Sequence, residues 1–142
     1  MDRLVEPMDC LVDTNVLSDL ARPEPNPGVV LWSQSVAQTG ISIVSVEEIY
    51  FGLSWNPRAA IQGWFQRFLQ EHCEIYPVTA EIARKAGELR GQLRATGIVR
   101  TQADMLIAAT AVAHGVNLVT RNEKDFQGCG IAVLNPFSED DG

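Results

Sequence analysis

The stretch Cys10-Leu11-Val12-Asp13-Thr14-Asn15-Val16-Leu17 decides the reading of this chain. Three apolar residues with strand character run into an acid, a threonine and an asparagine. That triplet makes a turn or a helix start. Val16, Leu17 and Leu20 then predict a short helix, which must stop before Pro23. A strand feeding directly into a helix is the unit from which parallel sheets are built.

The same alternation continues outward. Asn26-Pro27 reads as an N-cap with proline at the first helical position. Ile41-Ser42-Ile43-Val44 predicts a second strand, and Ser45 starts a helix reaching about Gly52. Asn56-Pro57 opens another helix, whose Ile61, Trp64, Phe65, Phe68 and Leu69 recur at i, i+3, i+4, i+7 and i+8. This stripe is mainly core, and part of it can line a groove for a partner helix. Glu74-Ile75-Tyr76 is a weak strand. Thr79 caps a long helix that Gly97 ends, and Thr101 caps the next, which runs to Gly115. Asn117 to Thr120 and Ile131 to Leu134 complete about five strands. The expected fold is α/β: three layers, with a central parallel sheet covered by helices on both faces. The tail from Ser138 to Gly142 is expected to be acidic, frayed chain.

Composition narrows the function. One domain accounts for 142 residues. No apolar run approaches the ~20 residues of a membrane helix, and acids and Pro7 interrupt any signal-like start. Cys10, Cys73 and Cys129 are three widely spaced cysteines without a CxxC, so reduced thiols in or near the core are expected. That suits a cytoplasmic protein without membrane attachment. The net charge of −7 disfavours a nucleic-acid partner taken alone.

In an open parallel sheet, ligands bind beyond the carboxyl ends of the strands. Asp13 follows the first strand, Glu48 lies a turn after the second, Asp104 opens the helix before the fourth, and Asn122 and Asp125 follow the fourth. Each also has a plain structural reading. Ser45-Val46-Glu47-Glu48 fits a capping box, Thr101-Gln102-Ala103-Asp104 mimics one, Asp13 suits a helix entry and Asp125 a loop. Gathered at one sheet edge, however, the acids need an answer. Two carboxylates ~4 Å apart repel by about 1 kcal/mol in water and about 4 kcal/mol at an effective dielectric of 20. They must take up protons or bind a cation. Oxygen donors without nearby Cys or His suit Mg²⁺ or Mn²⁺, the metals of phosphoryl chemistry.

These residues carry a resemblance. Leu11 to Leu17 resembles the opening motif of PIN-domain ribonucleases, in particular the VapC-type toxins of bacterial toxin–antitoxin pairs. Ser45 to Gly52 is similar to the second motif, where the acid four residues before glycine selects Glu48. Ala103-Asp104 with Ile107 to Ala111 resembles the third, Leu118 to Phe126 the fourth, and Asn135-Pro136-Phe137 the usual ending. The resemblance spans 8–137 and leaves 1–7 as an N-terminal extension and 138–142 as an acidic tail. It implies a Mg²⁺- or Mn²⁺-dependent endoribonuclease that hydrolyses RNA phosphodiesters, commonly a homodimer held inactive by a cognate antitoxin. DNA would be met only through that antitoxin. Asp13, Glu48, Asp104 and Asp125 are the implied metal ligands and catalytic residues. Asn122 stands where some relatives have the fourth acid. Asn15 is placed to orient Asp13, and Thr120 or Asn122 to hold a water or a ligand carboxylate. Two rivals remain: a catalytically silent PIN-fold binding module, and an aspartate-nucleophile phosphatase, which would want an acid where Asn15 stands.

Five of the eleven basic residues fall between Arg84 and Arg100. Arg84–Glu88 is a favourable i,i+4 pair, whereas Arg90 and Arg94 repel each other. Arg90, Arg94 and Arg100 are candidate RNA contacts. Ala83, Gly87 and Gly91 put small side chains on one face of the long helix, and internal packing is the expected use.

Overall fold

A computed structural model of the chain describes residues 10–36 and 38–139. The expected extension at 1–7 and the end of the tail, 140–142, lie outside them. The elements are β1 (Cys10–Val12), α1 (Thr14–Leu20), α2 (Pro27–Gln34), β2 (Thr39–Ser42), α3 (Ile43–Trp55), α4 (Ala59–Glu71), β3 (Cys73–Tyr76), α5 (Ala80–Ala95), α6 (Gln102–His114), β4 (Asn117–Val119) and β5 (Val133–Leu134). A 3-10 turn, Glu123–Phe126, sits between β4 and β5.

All strand pairs are parallel, in the order β3-β2-β1-β4-β5. The first strand is therefore central, and all three of its residues are buried. Alternation along β1 divides the core. Leu11 joins Ile82, Ala86, Leu89, Met105 and Phe126 under α5 and α6. Cys10 and Val12 join Val16, Leu17, Val29, Ile49 and Phe65 on the opposite face, under α1 to α4. Leu118 and Val119 of β4 split the same way. The result is an α/β/α sandwich with a five-stranded parallel sheet. None of the described helices is long and apolar enough to cross a membrane.

The β2–α3 boundary differs from the sequence reading. Ile43 and Val44 are β-branched, yet they begin α3, because the Ser42 hydroxyl accepts the Val44 N–H at 3.0 Å and caps the helix, which starts two residues earlier than expected. β2 starts instead at Thr39-Gly40, where pairing on both edges overrides weak propensity. Asn56 ends α3 rather than opening α4, which starts at Ala59 after Arg58, a cap without a side-chain bond. β4 stops at Val119 and β5 begins at Val133. The caps at Asn26, Thr79 and Thr101 and the left-handed Gly115 are where the sequence puts them. His114, at the end of α6, stacks on Tyr76 with centroids 3.9 Å apart.

The small-residue face of α5 does not pack internally. Ala83, Gly87 and Gly91 are exposed, and a Cβ added at either glycine would meet nothing within 4 Å. The helix buries Ile82, Ala86 and Leu89 instead, and α6 supplies the close approach with buried Ala108, Ala109 and Ala111. Ser138 is not frayed either. Its N–H donates to Asn26 Oδ1 at 2.8 Å, and its carbonyl accepts from Asn26 Nδ2 at 3.2 Å. Buried Asp19 in turn accepts the Asn26 backbone N–H. Gly28 lets this strap close, since an added Cβ would overlap the Pro136 carbonyl and stand 2.7 Å from the Ser138 nitrogen. Cys10 and Cys129 are buried and Cys73 is half-buried, all as thiols.

Candidate active site

The chain leaves β1 in one direction to build β2 and β3, and returns to its other side for β4 and β5. The crevice at the carboxyl end of β1 is the switch point where such sheets bind ligands. Asp13 stands there. It is nearly buried at 5% exposure and is the N-cap of α1, its Oδ1 accepting the Thr14 N–H at 2.7 Å. Its Oδ2 accepts from the Thr120 hydroxyl at 2.8 Å and from Asn15 Nδ2 at 3.3 Å. Thr120, wholly buried at the end of β4, also accepts from Asn15 Nδ2 and from the Asn122 N–H. Asn15 Oδ1 accepts the Arg121 N–H at 3.1 Å. Asn15 thus ties the start of α1 to the loop after β4, and it fills the place where an aspartate-nucleophile phosphatase would carry its second acid.

Glu48 is not a capping-box acid, because Ser42 rather than Ser45 caps α3. Its Oε1 instead lies 2.7 Å from the Thr14 hydroxyl, which is also 2.8 Å from the Ser45 hydroxyl. Thr14 has one proton, so it donates to Glu48 while Ser45 donates to Thr14. Sequence reasoning missed both roles. Ser45 looked like a cap, and Thr14 like the middle of a turn. The neighbouring Glu47 is exposed.

Asp104 lies in the first turn of α6. The Thr101 hydroxyl accepts its N–H at 3.1 Å, so Thr101 is the cap. The Asp104 carboxyl is raised to about 6, first by burial and then by the charge of Asp13; the Thr101 hydroxyl opposes this, and Asp125 and Glu48 add to it. Asp13 is raised as well. Burial dominates, the bonds from Thr120 and Thr14 oppose it, and Glu48 and Asp125 push the same way. All four acids therefore share one electrostatic neighbourhood. Asp125 belongs to the 3-10 turn, half-buried, while Asn122 is exposed and engages only its backbone, donating to Thr120 and accepting from Asp125.

The donor set is all oxygen, hard and mutually repelling, which fits a divalent cation of the Mg²⁺ class. Among the described residues, no three His, Cys, Asp or Glu stand close enough to hold an ion together as placed. The acids lie within electrostatic reach of one another but not at ligating separation. Arg90, Arg94 and Arg100 gather elsewhere, around a cleft on α5.

Comparison with known proteins gives one answer. The PIN domain model matches residues 10–128. A VapC ribonuclease of Sinorhizobium fredii, Y4jK, is 33% identical over 135 residues, covering 89% of this chain and 96% of that protein. The solved structure of FitAcB from Neisseria gonorrhoeae matches with a TM-score of 0.77 at 29% identity, over 89% of this chain and 97% of that one. VapBC2 from Rickettsia felis, bound to a DNA fragment from its promoter, gives a TM-score of 0.77 at 26% identity, over 89% and 96%. With four acids converging on the switch point of a matching fold, the chain belongs to the PIN domain family, among the VapC- and FitB-like toxins of toxin–antitoxin pairs.

Proposed function

We propose that this protein is a Mg²⁺- or Mn²⁺-dependent endoribonuclease of the cytoplasm, the toxin of a toxin–antitoxin pair. The observation that carries the reading is the mutual repulsion of Asp13, Glu48, Asp104 and Asp125 at one sheet edge. When bound, a divalent cation supplies charge to the phosphate oxygens and makes water a stronger nucleophile. The chain's own part is to hold and orient the acids. Asp13 is fixed by three donors, and Glu48 is aimed by Thr14. Asp104 and Asp125 bring negative charge from α6 and the 3-10 turn, and Asn122 supports Thr120 through its backbone.

The test is cleavage of RNA by purified protein. It should need Mg²⁺ or Mn²⁺ and stop with EDTA. Undiminished cleavage after rigorous metal removal would sink the mechanism, and no cleavage with either metal would favour a silent binding module.

A structural relative solved as a toxin–antitoxin complex and another, VapBC2, solved on promoter DNA support an antitoxin partner, to which this reading assigns any DNA contact. An apolar groove of about 590 Å³, lined by Leu20, Trp32, Val36, Trp64 and Phe68, would seat an antitoxin segment. The likeness to VapC-type toxins supports a homodimer. Light scattering should then give about twice 15.6 kDa. A monomer at micromolar concentration would remove the dimer from this reading.

A further inference from the structure

A shallow cleft of about 290 Å³ opens along α5, lined by Gly87, Arg90, Gly91, Arg94, Val99 and Arg100. Three of its six walls are arginines and none is an acid, in a chain of net charge −7. None of the three forms an ion pair with a described residue. The nearby carboxylate of Glu88 is taken by Arg84 at 2.9 Å. Arg100 is anchored at one end only: its Nη2 donates to the Gln127 carbonyl at 3.2 Å, while its buried Nε has no hydrogen-bond partner among the described residues. A buried donor left unpaired costs free energy until an acceptor arrives.

The shape fits an extended polyanion. Gly87 and Gly91 leave the floor bare, so a phosphodiester chain can come close to the α5 backbone. Arg90 and Arg94 stand one helical turn apart, about 6 Å along the axis, comparable to the spacing of successive phosphates on a single strand. Through Gly87 and Arg90 the cleft continues into a hollow of about 120 Å³ between α5 and α6, which Gln102 also lines, two residues before Asp104. At the other end Arg100 directly precedes Thr101, the cap of α6 whose first turn carries Asp104, so the cleft borders the acid cluster.

We propose that this trough binds the single-stranded RNA backbone beyond the scissile phosphate, with Arg90 and Arg94 gripping neighbouring phosphates and Arg100 leading the strand to the acids. This deepens the ribonuclease reading and rests on it. The trough explains how a chain of strong negative charge holds a polyanion. The repulsive acids and the attractive arginines occupy separate, adjoining surfaces, so the strand is held at one while it is cut at the other.

The test uses the full chain with Arg90→Gln/Arg94→Gln, two exposed positions, and the charge-keeping Arg90→Lys/Arg94→Lys. Binding of a fluorescent RNA of about 20 nucleotides is followed by anisotropy in EDTA across a range of KCl. Each lost contact to a single strand removes about 0.7 from the slope of log K against log salt, so the glutamine variant should lose about 1.4 and the lysine variant almost nothing. With metal, the glutamine variant should show a KM about tenfold higher on the long RNA, with kcat unchanged. A substrate of about four nucleotides, too short to fill the trough, should be cut as well by the variant as by wild type. Equal salt slopes for wild type and the glutamine variant would overturn the proposal. So would equal losses on long and short substrates, or a changed mass in light scattering, which would make the cleft a subunit contact. If wild type cleaves nothing yet binds RNA with the arginine-dependent slope, the ribonuclease reading falls and the trough stands.

Discussion

The two halves of the acid cluster are built differently. The Asp13–Glu48 half is wired: Thr14, Asn15, Ser45 and Thr120 hold its carboxylates with bonds that join α1, α3 and β4. The Asp104–Asp125 half is held by local backbone geometry, with the Thr101 cap beneath Asp104 and the 3-10 turn beneath Asp125. An acid in the first half is therefore a structural member as well as a proposed metal ligand. An acid in the second half adds charge that the fold tolerates rather than uses.

The largest expected effect contrasts Asp13→Ala with Asp104→Asn. Removing groups that meet charge in a transition state costs about 10²–10³ in rate, so both variants should lose RNA cleavage by at least that factor. Their stabilities should diverge. Asp13→Ala loses a cap worth about 1 kcal/mol, which lowers Tm by roughly 3–5 °C for a domain of this size. Asp104→Asn should melt at or above wild type in EDTA. The sign follows from its proton affinity. Folding raises Asp104 from an ordinary 3.8 to about 6, so the folded chain binds the extra proton. Wild-type stability should then fall as pH rises from about 4 to about 6, and the asparagine variant should lose Asp104's share of that descent while keeping the share of Asp13, which folding also raises. Calorimetry across this range checks it. A lower Tm for Asp104→Asn above pH 6 would make Asp104 a structural member like Asp13 and erase the contrast.

Thr14→Val sharpens the wired half. It removes the hydroxyl that aims Glu48 and leaves Ser45 without its partner, so cleavage should drop about 10–100-fold. Stability should fall by about 1 kcal/mol in denaturant titration. Loss of stability with full activity would mean that Glu48 needs no aiming.

The smallest effect sharpens the other half. Asp125→Asn should slow cleavage by about tenfold or more, while Asn122→Ala, whose side chain makes no described bond, should change it less than about threefold. The reverse order would give Asn122 the essential oxygen.

How far the sequence could be read follows the same division. Alternating strands and helices, the caps at Asn26, Thr79 and Thr101, and the acids after strand ends are local signals, and each appears in its place. The bonds of Thr14 to Ser45 and Glu48 span 31 and 34 residues. They depend on how α1 lies against α3, which no local pattern encodes. The strand reading of Ile43-Val44 failed because a serine one residue before them caps a helix, and side-chain branching could not outweigh it. The outward glycines of α5 misled for a related reason. Small residues permit close packing without saying which neighbour uses it.

The central position of β1 has a consequence in time. The strand synthesised first waits for β4 before its Asp13 can receive the Thr120 hydroxyl, a bond across 107 residues. At translation rates of 5–20 residues per second, that wait lasts roughly 5–20 s. Until Thr120 and Asp125 have left the ribosome, the nascent chain carries only part of its acid set. A fragment ending before Thr120 would lack the bond that fixes Asp13. The order of strands thus acts as a delay, withholding the bond that fixes Asp13 until β4 has been made.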